Sequence, residues 1–295
     1  MRVLTTGSAG MLGAAVIEEL ARESQYEVVA TGRSVKGHAK VEMDIRNWPA
    51  VRQAFSVHKP DLVVHMAAET NVDRCELEPE HGYACNAFGT ENIVRACVEV
   101  GATMVYISTA NVFSGDKDEP YHEYDVPGSI NVYGRSKLAG ERIVEQALSN
   151  YYIFRAGWMV GGWDIDKKFV RKIAQLCSEQ DELKVVDDTF GSLTFTTDFA
   201  SQMMKVVGSG LYGLYHLANK GTASRWEIAL EIVDAMGRKE DVKVQRIPSD
   251  QFPLPAPRPR SEMLNNFKLD LLDMDSMPYW KDALHAYIKG NKGRL

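Results

Sequence analysis

Arg2-Val3-Leu4-Thr5-Thr6-Gly7-Ser8-Ala9-Gly10-Met11-Leu12-Gly13 opens the chain, and Ala14 to Arg22 follows. Arg2 to Thr6 is a short apolar run of the kind that forms a buried strand. Ala14 to Arg22 has the composition and apolar spacing of a helix. Strand, glycine turn and helix together bring a dinucleotide pyrophosphate against the backbone. Glycines allow the tight turn, close approach of the phosphates and close packing of helix on strand. The helix N-terminus adds free N–H groups at a positive dipole end. Gly7, Ala9, Gly10, Met11 and Leu12 are therefore candidate cofactor-binding residues.

The alternation continues outward. Glu27 to Thr31, Val41 to Ile45, Leu62 to His65, Thr103 to Ile107 and Tyr151 to Arg155 read as strands. Asn47 to His58, Glu80 to Val100 and Tyr133 to about Leu148 read as helices between them. Such alternation predicts an α/β, Rossmann-type doubly wound parallel sheet with ligands at the carboxyl ends of its strands. Arg33, Asp44, Ile45, Ala67, Ala68, Thr70 and Ser108 fall at those ends. The second strand runs into Thr31-Gly32-Arg33-Ser34, which holds no carboxylate to repel a 2′-phosphate, and Arg33 can pair with one. NADPH is the expected cofactor, with NADH left open. Asp44 could accept from the adenine amine. Small residues at Ala67 and Ala68 suit a cofactor crossing the backbone, and His65 reads as a packed strand residue.

Tyr133-Gly134-Arg135-Ser136-Lys137 lies at the start of one helix. A tyrosine and a lysine four residues apart share a helix face. An ammonium close to a phenol favours the phenolate and lowers its pKa, and a tyrosine tuned this way can exchange a proton with a substrate oxygen. Thr109 ends the fifth strand, where its hydroxyl can hold that oxygen. Asn111 to Asn131, with two glycines and two prolines, reads as a long surface loop.

Beyond Arg155 the pattern loosens. Helices are expected at Lys167 to Glu179, Asp198 to Val207, Ser224 to Met236 and Trp280 to Tyr287, the third opened by a Ser224–Glu227 capping box. Strands are expected at Leu183 to Val186 and Leu211 to Leu217, and a loop at Phe190 to Thr197. Pro253 to Arg260 should be extended, with Arg258 and Arg260 solvated or facing a phosphate. The expected division is a dinucleotide-binding domain at 1–157 and a smaller α/β substrate-binding lobe from 158–186 and 208–295. Parts of 187–207 and 211–224 return to the first domain.

The 295 residues are 45% hydrophobic, enough for a large core. The formal net charge of −6, with no basic tract, argues against nucleic-acid binding. Cys75, Cys85, Cys97 and Cys177 lack Cys-x-x-Cys spacing and read as buried thiols of a reducing compartment. No metal-ligand pair such as His-x-x-x-His occurs, so no metal site is expected. With no signal peptide and no apolar run of membrane length, a soluble cytoplasmic protein is expected.

The glycine motif with Tyr133-x-x-x-Lys137 resembles the extended short-chain dehydrogenase/reductase superfamily. Ser108-Thr109 with Val112-Phe113-x-Gly115 resembles the Ser-Thr-Asp-Tyr-Val-Phe-Asp-Gly segment of the dTDP-4-dehydrorhamnose reductase family. Arg155-x-x-Trp158, Gly191-Ser192-x-Thr194, Gly213-x-Tyr215-His216, Ser224-x-Trp226 and Ala256-Pro257-Arg258-Pro259 resemble it too, in the same order. The resemblance implies a reductase of dTDP-rhamnose biosynthesis, an oxidoreductase acting on the C4 ketone of a nucleotide-linked 6-deoxy sugar. Hydride would come from NADPH. Thr109, Tyr133 and Lys137 would be the catalytic set, with Lys137 also on the nicotinamide ribose. Thr109, Asn111 and Trp158 would face the substrate, with Trp158 covering the sugar. Two departures touch that pocket: Ala110-Asn111 stands where the family has Asp-Tyr, and Lys168-Phe169 where Asn-Phe is usual.

The resemblance leaves alternatives. A 4,6-dehydratase needs carboxylates just after the threonine, where Ala110 and Asn111 supply none. A 4-epimerase retains its cofactor and is usually longer. Some relatives are non-catalytic NADP-binding regulatory subunits. Relatives often pair, which leaves a homodimer open. Some share magnesium between subunits through glutamates, a set that has no clear place on this chain.

Overall fold

Strands whose two faces are both apolar are stable only in a sheet covered on both sides. The computed structural model, which describes residues 1–166 and 168–294, builds such a sheet. Its first six strands are β1 (Arg2–Thr6), β2 (Glu27–Gly32), β3 (Val41–Glu42), β4 (Leu62–His65), β5 (Thr103–Thr109) and β6 (Tyr151–Ala156). Shorter strands follow: β7 (Trp158–Val160), β8 (Glu182–Val186), β9 (Phe190–Gly191), β10 (Leu193–Phe195) and β11 (Gly213–His216). The main sheet has seven strands in the order β11-β6-β5-β4-β1-β2-β3, every pairing parallel. The chain leaves β1 one way for β2 and β3, then returns the other way for β4, β5 and β6. That reversal opens a crevice at the carboxyl ends of β1 and β4.

Alternate residues supply the two faces. Val3, Val64, Val105 and Phe154 pack under α1 (Met11–Leu20) and, later in the chain, Thr196–Ser209. Leu4, Val63, Met104 and Ile153 pack on the opposite side, under α2 (Trp48–His58) and Gly89–Val100. Each fully buried aliphatic or aromatic side chain contributes about 1.5–3 kcal/mol. All four cysteines are buried and free.

Between β4 and β5 the chain forms α3 (Val72–Leu77), α4 (Pro79–Tyr83), a π-helical turn at Ala84–Phe88 and α5 (Gly89–Val100). The single helix expected over Glu80–Val100 is thus interrupted, and α3 precedes it. α6 (Val132–Ala147) follows β5. α7 (Phe169–Glu179), α8 (Thr196–Ser209), α9 (Arg225–Ala235), α10 (Phe267–Leu271) and α11 (Trp280–Asn291) are the further α-helices among the described residues.

A second core lies beyond the sheet. Val170, Ile173, Ile228, Ile232, Trp280 and Leu284 join α7, α9 and α11. β8 pairs in parallel with β13 (Lys243–Ile247), and β10 with β7. β9 lies between β12 (Ala223–Ser224) and β14 (Ser261–Glu262). The capping box is present: Glu227 N–H donates to the Ser224 hydroxyl at 3.1 Å, and Ser224 N–H to the Glu227 carboxylate at 2.7 Å. Leu269 and Met277, from a stretch assigned on sequence to the lobe, pack in the main sheet's core.

Other boundaries differ from the sequence reading for local reasons. α1 starts at Met11, not Ala14, because Gly13 lies inside its first turn. β3 stops at Glu42 because Asp44 turns the chain, accepting from Arg46 N–H at 3.0 Å. The segment Phe190–Thr197 is not a loop; it holds β9, β10 and the start of α8. β11 begins at Gly213, whose φ of 129° only glycine adopts readily. The expected helix start at Lys167 lies outside the described residues. No helix among the described residues is long and apolar enough to cross a membrane.

Candidate active site

The glycine turn fits tightly against the end of β4. Gly7 has φ of 71°, and a Cβ there would lie 2.8 Å from the Ala67 nitrogen. A Cβ on Gly13 would lie 2.5 Å from the Gly7 carbonyl oxygen. Any larger residue would push α1 off the turn. Gly10 caps α1 without a side-chain acceptor, so the first-turn N–H groups of Met11 and Leu12 stay free for an anion. The Leu12 side chain is buried in the core, which leaves its backbone as the part that can meet a ligand. The loop at Gly37 packs beside Ala9, placing the neighbouring Arg33 segment next to the turn. Arg33 is exposed. The Asp44 carboxylate is gripped by Arg46 at 2.6 Å; that bond, aided by Arg33, holds its carboxyl below the usual range. Ile45 is buried, with its carbonyl accepting from Asn92 at 2.9 Å.

A buried chain of hydrogen bonds sets the Met66–Thr70 loop. Met66 and Ala67 N–H donate to the Thr6 hydroxyl at 3.1 Å each. Thr6 contacts His65 Nδ1 at 2.7 Å, and His65 Nε2 contacts Thr90, whose hydroxyl donates to the Asn86 carbonyl. The donors balance only if Nε2 carries the His65 proton. Burial, with Lys137 nearby, keeps this histidine neutral, its pKa pulled down to about 3. Asn86 accepts from Glu69 N–H at 2.8 Å and donates to the Glu69 carbonyl and the Ser136 hydroxyl, both at 3.0 Å. Asn86 sits in the π-helical turn, a feature often found at functional sites. It ties the loop carrying Ala67, Ala68 and Thr70 to the helix carrying Tyr133 and Lys137.

Ser108 and Thr109 point to opposite faces of β5, as alternation requires. The Ser108 hydroxyl donates to Glu141 at 2.5 Å. Glu141 is held in turn by Arg155 at 2.9 and 2.7 Å, a buried cluster behind the site. Thr109 faces Tyr133 across the crevice. Burial pushes the Tyr133 phenol up to about 12, partly offset by a hydrogen bond with Thr109. The expected lowering by Lys137 is not what governs it here. Lys137 is itself buried, 4.0 Å over the Tyr106 ring, and desolvation pulls it down to about 7, with Glu141 opposing.

On the lobe side, Asn111 donates to Glu262 at 2.5 Å and accepts from Asn131 at 3.0 Å. Asn131 also caps α6 by accepting from Gly134 N–H, so one asparagine positions both Asn111 and the Tyr133 helix. The Trp158 ring does not present a free face: the Arg225 guanidinium lies 3.5 Å from its centroid, and Gly191 packs against the ring. Of the two arginines offered to a phosphate on sequence, Arg258 pairs with Asp73 at 2.9 Å and Arg260 with Asp118 at 3.0 Å.

A model of the RmlD substrate binding domain family matches residues 1–292. The chain belongs to this family. It is 35% identical to a dTDP-4-dehydrorhamnose reductase of Mycolicibacterium smegmatis over 97% of this chain and 85% of the relative. The crystal structure of a dTDP-4-dehydrorhamnose reductase from Clostridium acetobutylicum superposes with a TM-score of 0.91 at 37% identity, covering 98% of this chain and 99% of that one. Another, from Bacillus anthracis in complex with NADP, superposes with a TM-score of 0.89 at 34% identity, covering 98% and 99%.

Within the family frame, the sequence reading missed Thr6, Asn86, Thr90, Glu262 and Arg225. The first three carry no motif; only the fold brings them under the Met66–Thr70 loop. Glu231, Asp234 and His285 form a group of metal-ligating type, but Glu231 is already engaged by Lys281 at 2.8 Å and by His285 at 2.6 Å.

Proposed function

We propose that this protein reduces the C4 ketone of a nucleotide-linked 6-deoxy sugar with NADPH, as a dTDP-4-dehydrorhamnose reductase does. What supports the reading is the Thr109–Tyr133 hydrogen bond at the carboxyl end of β5, with Lys137 on the same helix close to His65, whose partner Thr6 leads into the Gly7 turn. Gly7, Ala9, Gly10, Met11 and Leu12 would hold the pyrophosphate through backbone N–H groups. These residues fit a dinucleotide, since the glycine cradle is one that a Cβ would fill. The bound cofactor supplies hydride to the carbonyl carbon. Charge then grows on the carbonyl oxygen, where Tyr133 donates its proton and Thr109 donates a hydrogen bond. Lys137 would hold the ribose hydroxyls and keep positive charge behind the phenol. The test is loss of nicotinamide absorbance when NADPH meets a dTDP-4-keto-6-deoxyhexose.

Cofactor choice is assigned to Arg33, an exposed guanidinium with no acid at the strand end to repel a 2′-phosphate. A charge-assisted pair of this kind is worth about 1.5–3 kcal/mol, or roughly ten- to a hundredfold in affinity. Titrations of wild type should therefore favour NADPH over NADH by that factor, and Arg33→Ala should remove most of the difference. Equal affinities in wild type would show that Arg33 does not read the phosphate.

A further inference from the structure

Lys137 is buried, and among the described residues its ammonium forms no salt bridge and donates no hydrogen bond. A buried charge is costly unless something close by compensates it. The compensating group is a ring. Lys137 Nζ lies 4.0 Å from the centroid of Tyr106, and Tyr106 is fully buried. The face of an aromatic ring attracts a cation, most strongly where water is excluded. Tyr106 and Ser108 share one face of β5, as alternation requires, and that face meets α6. The ring is also fixed in place. Its hydroxyl donates to the Lys137 carbonyl at 3.2 Å, and a Cβ on Gly140 would collide with that hydroxyl. β5 thus holds Lys137 by its backbone and by its side chain.

The other groups around Lys137 do not take this role. Glu141, one turn further along α6, attracts the ammonium. Its oxygens, however, already accept from Ser108 at 2.5 Å and from Arg155 of β6 at 2.9 and 2.7 Å. His65 of β4 is kept neutral and stacks with Tyr106, ring centroids 5.8 Å apart. Asn86 and Thr90, from the π-helical turn and α5, carry no charge. Tyr133, one turn before Lys137, is a protonated phenol, and Cys75, Glu262 and Glu69 bear on it. A ring also leaves Lys137 free to work. The N–H groups not directed at Tyr106 remain available for the ribose hydroxyls.

We propose that Tyr106 is a positioning residue of the reaction: its ring face holds the Lys137 ammonium charged and in place, one turn from Tyr133, before cofactor and substrate bind. This deepens the reductase reading and rests on it for the task of Lys137, while the contact itself can be tested without turnover. Protein with lysine isotopically labelled at Cε would be titrated by NMR, the Lys137 signal being the one absent from Lys137→Met. Wild type and Tyr106→Phe would be compared with protein carrying trifluorophenylalanine at position 106, and NADPH affinity would confirm the fold of each. Fluorine drains negative charge from the ring face and largely keeps its shape. Tyr106→Phe should titrate close to wild type, because the ring face is kept. The fluorinated ring should lower the Lys137 midpoint by about 0.5–1.5 pH units relative to Tyr106→Phe, the size of a desolvated cation–π contact. The alkaline limb of kcat/KM should move down with it. A ring that only fills space would leave the two titrations alike, and that result in folded protein would overturn the proposal. So would a fluorinated ring that raises the midpoint. A downward shift in the NMR titration would support the contact even if no 4-keto sugar nucleotide were reduced, since only the reductase reading would then fail.

Discussion

Tyr133→Phe is expected to lower turnover about 10²-fold or more while NADPH binds nearly as in wild type. The substitution keeps the ring and its packing and removes only the hydroxyl. Reduction needs a proton on the nascent alkoxide, and Tyr133 is the group beside Thr109 able to give one. Because burial holds the phenol near 12, it stays protonated through the whole physiological range. The acid is thus always loaded, and the difficulty lies in letting the proton go. The Thr109 hydroxyl already favours the phenolate, and the positive charge of Lys137 would act in the same direction at the moment of transfer. Single-turnover rates with pre-bound NADPH would isolate this step. A Phe variant that matches wild type would remove Tyr133 from the mechanism.

Lys137→Met should cost a similar factor and also change the pH profile. Desolvation puts the Lys137 ammonium near 7 in the ligand-free protein, and kcat/KM reports the ionisations of that free form. As pH rises through about 7 the ammonium is lost, so wild-type kcat/KM should fall on the alkaline side. With methionine at 137 that limb should vanish, leaving a low, flat profile. The linked stability effect has a definite sign. A lysine whose folded pKa lies below its unfolded value of about 10.4 binds fewer protons when folded, so this site's contribution rises between about pH 7 and 10.4 and is lost as pH falls through 7. An alkaline limb that persists in Lys137→Met would assign it to another group.

Much of this was legible in the chain because the signals are local. The glycine turn, the strand–helix alternation and the Tyr133–Lys137 spacing are each written within a few residues, and they give the sheet, its reversal point and the edge where ligands collect. What the chain hides is set by contacts between distant segments. Asn86 looks like an ordinary helix residue; only the π-helical turn directs it at Glu69 and Ser136. Arg225 reads as the second residue of a capping box, and its stacking on Trp158 depends on β7 and α9 meeting in the lobe. The pKa of Tyr133 shows the same limit. A lysine four residues on suggests a lowered value, but in the ligand-free protein burial governs the phenol and raises it. Paired arginines at 258 and 260 likewise depend on Asp73 and Asp118, which lie far away in sequence.

The reaction proposed for this protein is hydride transfer to a sugar ketone held by its nucleotide. Its most direct measurement follows NADPH absorbance with dTDP-4-keto-6-deoxyhexose and, at equal concentration, with the free 4-keto sugar. Binding energy from the remote nucleotide should position the ketone for reaction, so the sugar nucleotide should be reduced rapidly, the free sugar far more slowly, and dTDP should compete. Equal rates for the two would contradict the anchoring, and NADPH binding with no oxidation by any 4-keto sugar nucleotide would contradict the reductase itself.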